Sequence, residues 1–113
     1  MIDEQVIAVL RASLSDDGTI IGQLIALYTS DSPQLVDDAA AAIERRDWET
    51  LKRSAHSLKS TSASMGATSA SAVARELEQF AKDGNLDQSV TALERLKIEV
   101  NDAISAFAKL KFN

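Results

Sequence analysis

Cysteine is absent from this 113-residue chain, proline and histidine occur once each, and glycine only four times. Without cysteine there is no disulfide framework and no thiolate metal site, and the composition suits a reducing, cytoplasmic setting. One histidine with no Glu-x-x-His companion argues against a di-metal site between helices. Four scattered glycines make no phosphate-cradling loop, so the chain is expected to lack its own ATP site. No apolar run reaches membrane-spanning length and no basic segment precedes one at the N-terminus, so neither a membrane contact nor a signal peptide is expected. Aromatic residues are only 4%. No segment alternates with period two, which speaks against strands.

What remains is rich in helix formers. Hydrophobic residues make up 45% of the sequence, mostly Ala, Leu, Val and Ile, which favours close helix–helix packing in one domain over residues 1–113. A short first helix can start at Asp3 and carry Val6 and Leu10 inward. Asp16-Asp17-Gly18 reads as a turn. Residues 17–46 then form one bundle element with Ile20, Ile21, Leu24, Leu27 and Tyr28, and then Leu35, Val36, Ala39, Ala42 and Ile43, on its stripe. A break is expected near 30–33, because Pro33 lacks an amide hydrogen. Asp47 caps the next helix, which Gly66 ends. Thr68 or Ser69 caps a fourth helix bearing Val73, Leu77 and Phe80, and Gly84-Asn85 stops it. The last helix uses Leu86, Val90, Leu93, Leu96, Val100, Ile104, Phe107 and Leu110 and should be roughly 35–40 Å long. Ser89 on that helix is read as a surface position remote from the histidine. The expected fold is all-α: an antiparallel up-down four-helix bundle with a short N-terminal capping helix. Leu51, Leu58, Leu77, Leu93, Val100 and Ile104 should lie in its core.

The stretch from Trp48 to Ala67 carries the chemistry. Small or apolar residues at Trp48, Leu51, Ala55, Leu58, Ser62 and Met65 draw one stripe down a helix. At about 100° per residue, His56 falls off that stripe and points to the polar side. Lys52, Arg53, Lys59 and Ser60 share its face, one turn away. The net charge is −5, which argues against nucleic acid as a partner. Yet no acidic residue occurs between Glu49 and Glu76, an interval that holds Lys52, Arg53, Lys59 and Arg75.

The serines near His56 do not make a hydrolase, since a bare helix face offers no oxyanion hole. An exposed neutral imidazole can, however, attack phosphorus, and nearby ammonium groups would stabilise the charge it gains. On a lone histidine, an ordinary surface residue of a docking bundle is the simpler alternative.

The spacing of residues around His56 goes further. His56, Leu58, Lys59 and then Met65-Gly66-Ala67 resemble the signature of the histidine-containing phosphotransfer (HPt) family. Ser62 supplies the small residue expected six positions after the histidine. The likeness extends to the whole layout, including Leu77-Glu78 in the fourth helix and the Gly84-Asn85 turn. Ser60 departs from the pattern, standing where the family usually has glycine.

The resemblance implies a phosphorelay carrier in two-component signalling, a phosphoprotein with no cofactor of its own and no independent turnover. His56 would be the phosphoacceptor and Lys59 the phosphate-stabilising cation. Ser60 and Ala63 would be small positions under the partner, and Glu78 would face the ring from the adjacent helix. By helical phase, Lys52 and Arg53 join that surface, and Arg75 flanks it. The implied partners are response-regulator receiver domains, whose aspartate pocket holds magnesium. A monomer is expected, either free or as part of a hybrid sensor kinase.

Overall fold

The computed structural model describes residues 19–109, so the expected short first helix and its Asp3 and Asp16-Asp17 caps lie outside the described residues. Four helices follow in order: α1 (Thr19–Arg45), α2 (Trp48–Ser64), α3 (Thr68–Asp83) and α4 (Leu86–Ala108). No strand occurs among the described residues. Each helix packs against its neighbours in sequence, and α4 closes the ring against α1, leaving α2 and α4 on a diagonal. This is the up-down bundle that four amphipathic stripes joined by very short turns must form.

The three turns share one device. After α1, Arg46 adopts a left-handed backbone (φ 57°), and Gly66 (φ 74°) and Gly84 (φ 64°) do the same after α2 and α3. In each case the left-handed residue and its successor donate backbone N–H groups to carbonyls in the last turn. The pairs are Arg46 to Ile43 and Asp47 to Ala42, Gly66 to Ala63 and Ala67 to Ser62, Gly84 to Ala81 and Asn85 to Phe80. Such paired bonds satisfy helix-end carbonyls that otherwise lack partners. The two glycines are expected there; Arg46 is not. Its guanidinium donates to the Ile43 and Glu44 carbonyls at 3.0 and 3.3 Å, which helps offset the strain of about 1 kcal/mol.

Asp47 caps α2 by accepting from the Thr50 amide, and Asn85 caps α4 by accepting from that of Gln88. The cap of α3 differs from expectation: Thr68 is its first helical residue, and Ala67 precedes it with no side-chain bond. Ala67 is fully buried, so packing decides this boundary rather than capping chemistry.

Helix α1 runs through Pro33 without the expected break. The reason lies in its phase. Proline removes the bond to the carbonyl four residues back, here Thr29, and both Thr29 and Pro33 face solvent. Water can satisfy that carbonyl. Meanwhile Tyr28, Ser32, Val36, Ala39 and Ile43 continue one buried stripe across the proline.

Leu51, Leu58, Leu77, Leu93, Leu96 and Val100 are buried as expected, each worth about 2 kcal/mol of hydrophobic stabilisation. Ile104 only packs against the edge of this core and stays partly exposed. Ile20, Leu27 and Val90, expected on inward stripes, are exposed, because each lies about 100° round from a buried neighbour, Ile21, Tyr28 and Ser89. Leu110 lies outside the described residues. Tyr28 stacks edge-on against Phe107 at 5.6 Å, and its hydroxyl pairs with Ser62 at 2.8 Å in the interior. Ser89 is fully buried, not on the surface, and its hydroxyl has no hydrogen-bond partner. It lies three residues before Ala92 and four before Leu93, both buried, so it continues the inner stripe of α4.

Candidate functional site

The inner face of α2 consists of Leu51, Ser54, Ala55, Leu58 and Ser62. Burying that face aims the opposite side of the helix outward, and His56 stands there with 58% of its side chain accessible. Glu49, Arg53, Ser60 and Ala63 are exposed on the same side, and Lys52 and Lys59 are half-buried.

Helix α3 supplies the third member of the site. Its Ala74, Leu77 and Ala81 are buried, which turns Glu78 to the seam with α2. One carboxylate oxygen, Oε2, lies 2.9 Å from His56 Nδ1, and the other, Oε1, accepts from Lys59 Nζ at 2.6 Å. The Glu78 side chain is only 12% accessible, so the carboxylate end of the bridge is covered while the ring end stays open to solvent. Its pKa is held below the ordinary glutamate value, chiefly by the Lys59 ammonium; partial burial opposes this, and His56 adds to the lowering.

The ionised carboxylate can only accept hydrogen bonds. The His56 ring must therefore carry its proton on Nδ1, which leaves the lone pair of the neutral ring on Nε2. Ser71 braces the same seam, donating from its hydroxyl to the Lys59 carbonyl at 2.9 Å.

The electrostatics differ from a simple ring of cations. Lys59 is paired with Glu78, and Lys52 pairs with Glu49 at 3.0 Å, one turn down α2. Arg53 and Arg75 are exposed and have no ion pair among the described residues. The Lys52–Glu49 contact was legible as an i,i+3 pair. The Ser71 brace and the Tyr28–Ser62 bond had no signal in the periodicity, since both depend on register between helices. Glu78 was reached only through the family resemblance.

Among the described residues no group of three or more His, Cys, Asp or Glu side chains could hold a metal ion. None of the described helices is long and apolar enough to cross a membrane. The chemistry on offer is that of one oriented nucleophilic nitrogen on a convex surface, beside a carboxylate and an ammonium.

Comparison with known proteins agrees with that geometry. A family model described as the Hpt domain matches residues 23–107. Among solved structures, the chain is similar to histidine-containing phosphotransfer protein B from Pseudomonas aeruginosa PAO1. The identity is 27% and the TM-score 0.87, over 96% of this chain and 91% of that one. The maize histidine-containing phosphotransfer protein ZmHP2 shares the fold at 24% identity and TM-score 0.84, over 95% of this chain and 80% of that one. A putative histidine-containing phosphotransfer protein from rice does so at 23% and 0.83, over 95% and 76%. No curated protein matches the chain. With His56 and Lys59 on the outward side of their helix, the bundle around them and a family match over most of its length, the chain belongs to the Hpt domain family of histidine phosphotransfer carriers.

Proposed function

We propose that His56 is the phosphoacceptor, taking the phosphoryl group from the aspartyl phosphate of one receiver domain and passing it to the aspartate of another. The observation that carries this reading is the His56–Glu78–Lys59 bridge, which leaves Nε2 as an exposed nucleophile and puts an ammonium beside it.

In the accepting step the Nε2 lone pair forms the N–P bond as the P–O bond to the aspartate breaks. The electron pair of that bond returns to the aspartate carboxylate, and the ring keeps its Nδ1 proton. Lys59, bonded to the same carboxylate as the ring, would share its charge between Glu78 and the incoming phosphoryl oxygens. Phosphoryl transfer consists largely of positioning and charge neutralisation, so a helix face suffices when the receiver brings its own magnesium and acidic residues. Lys52, Arg53, Ser60 and Ala63 on α2, with Arg75 on α3, would form with the ring the surface the receiver covers. Ser60, in place of the usual glycine, adds only a hydroxyl to that surface.

The test is His56→Gln. The side chain is exposed, so the variant should fold like wild type. Incubated with a phosphorylated receiver, wild type should acquire an acid-labile, alkali-stable label and the variant none. Label on the variant would remove His56 from the reaction and leave a docking bundle.

A further inference from the structure

The two nitrogens of the His56 ring point apart, and only one of them is held by α3. We infer that Arg53 binds the phosphoryl group while His56 carries it, on the flank of α2 that faces α1. This rests on the reading of His56 as the phosphoacceptor.

Glu78 reaches Nδ1 from α3, at 2.9 Å. In an imidazole the in-plane bonds of the two nitrogens diverge widely, so a group on Nε2 projects away from α3. Helical phase says what it meets there. At 3.6 residues per turn, Lys59 and Lys52 lie about 60° and 40° round α2 from His56 in one sense, and Arg53 and Ser60 lie about 60° and 40° round in the other. The contacts agree on both flanks. Lys59 meets Glu78 of α3, whereas Arg53 borders a hollow with Asp38 and Arg45 of α1, and Ser60 borders a groove with Leu24 and Leu27 of α1.

Charge separates the flanks further. Lys59 is tied to Glu78 and Lys52 to Glu49. On the α1 side, Arg45 pairs with Asp47 at 3.6 Å, and Asp38 accepts from Gln34 at 3.0 Å. Arg53 is exposed and has no ion pair among the described residues, so its charge is undivided. Residues three apart on a helix have Cβ atoms about 5–6 Å from each other, a gap the arginine stem spans. Helical side chains also lean toward the N-terminus, which carries the ring toward the turn that holds Arg53. A planar guanidinium can donate two parallel N–H bonds to phosphoryl oxygens. Ser60, one turn further on, is short enough to leave that flank open.

The balance point of the transfer tests this where a rate would not. At equilibrium the P–O bond to the receiver aspartate is exchanged for the N–P bond to Nε2, and the aspartate is released as a carboxylate. A side chain that touches only the receiver speeds or slows both directions alike. One that binds the phosphoryl group on His56 draws the balance toward the carrier. Dilute wild type, Arg53→Gln and Arg75→Gln are each mixed with a phosphorylated receiver, and the label on both proteins is measured once its division is steady. Arg53 is exposed, so its replacement should leave the bundle intact. For Arg53→Gln the ratio of carrier label to receiver label should fall about fivefold, the worth of one exposed charge pair. For Arg75→Gln, whose cation belongs to α3, the ratio should stay at the wild-type value. A wild-type ratio for Arg53→Gln, however slowly reached, would make Arg53 a docking residue and overturn the inference. An equal fall for Arg75→Gln would also overturn it, as an effect of surface charge in general. Wild type that takes up no label at all would instead overturn the phosphoacceptor reading.

Discussion

Replacing Lys59 with methionine separates what its ammonium does for the fold from what it does for the chemistry. Methionine keeps most of the aliphatic stem and removes only the charge. In the wild type that charge sits 2.6 Å from Glu78 Oε1, with 30% of the lysine and 12% of the glutamate side chain accessible. Exposed ion pairs contribute up to about 1 kcal/mol, and this pair is shielded enough to reach that upper figure. A loss of about 1 kcal/mol should lower the melting temperature by about 4 °C in a domain of this size.

The sign of the pH dependence follows from Glu78. Its folded-state pKa lies below the ordinary 4.5, with Lys59 as the principal cause. The stabilisation is therefore complete above 4.5 and disappears as the pH falls through the lower folded-state value. Denaturant titrations of wild type and Lys59→Met at several pH values should show the gap in stability at neutrality and its closure in acid. Transfer from a phospho-receiver should meanwhile slow about tenfold, which corresponds to about 1.4 kcal/mol of lost transition-state stabilisation. A stability gap that ignores pH would refute the ion-pair argument, and an unchanged transfer rate would reduce Lys59 to a structural partner of Glu78.

Two further outcomes are expected. Tyr28→Phe and Ser62→Ala should each cost about 1–2 kcal/mol, because each strands a buried hydroxyl, and the double variant should cost clearly less than their sum; strict additivity in thermal unfolding would refute this. Ala63→Arg, which adds bulk and charge on the His56 face, should impair transfer, whereas Asn101→Arg on the diagonal helix α4 should not; equal transfer rates would mean that the receiver docks elsewhere.

The bundle was legible because its information is local. A stripe at helical spacing shows which side of each helix is inward, and two of the three left-handed turn residues are glycines. The errors arose where local rules meet a tertiary constraint. Pro33 looked like a break, but its missing bond falls on the water side of a helix held by Tyr28, Ser32 and Val36. Thr68 and Ser69 looked like caps, yet the fully buried Ala67 occupies that position. Ser89 looked like surface because serine is polar, although its phase places it inside. For the site, helical phase was enough to expose His56 and to bring Lys59 beside it. That Glu78 sits 2.9 Å from the ring depends on the register of α3 against α2, which no periodicity within either helix contains. Part of the charge balance was misjudged for the same reason: Lys59 counts as a free cation within α2 and as half of an ion pair once α3 packs beside it, whereas the Lys52–Glu49 pair lies within α2 itself.

The convexity of the His56 face limits the order of events. One nitrogen on one outward surface can meet one visitor, so under the proposed relay the receiver that delivers the phosphoryl group must depart before the receiver that removes it can dock. Traffic through the carrier is thereby exclusive, a ping-pong scheme imposed by shape. An abundant unphosphorylated receiver then obstructs delivery simply by occupying the face. The carrier's throughput is bounded by how quickly each visitor lets go.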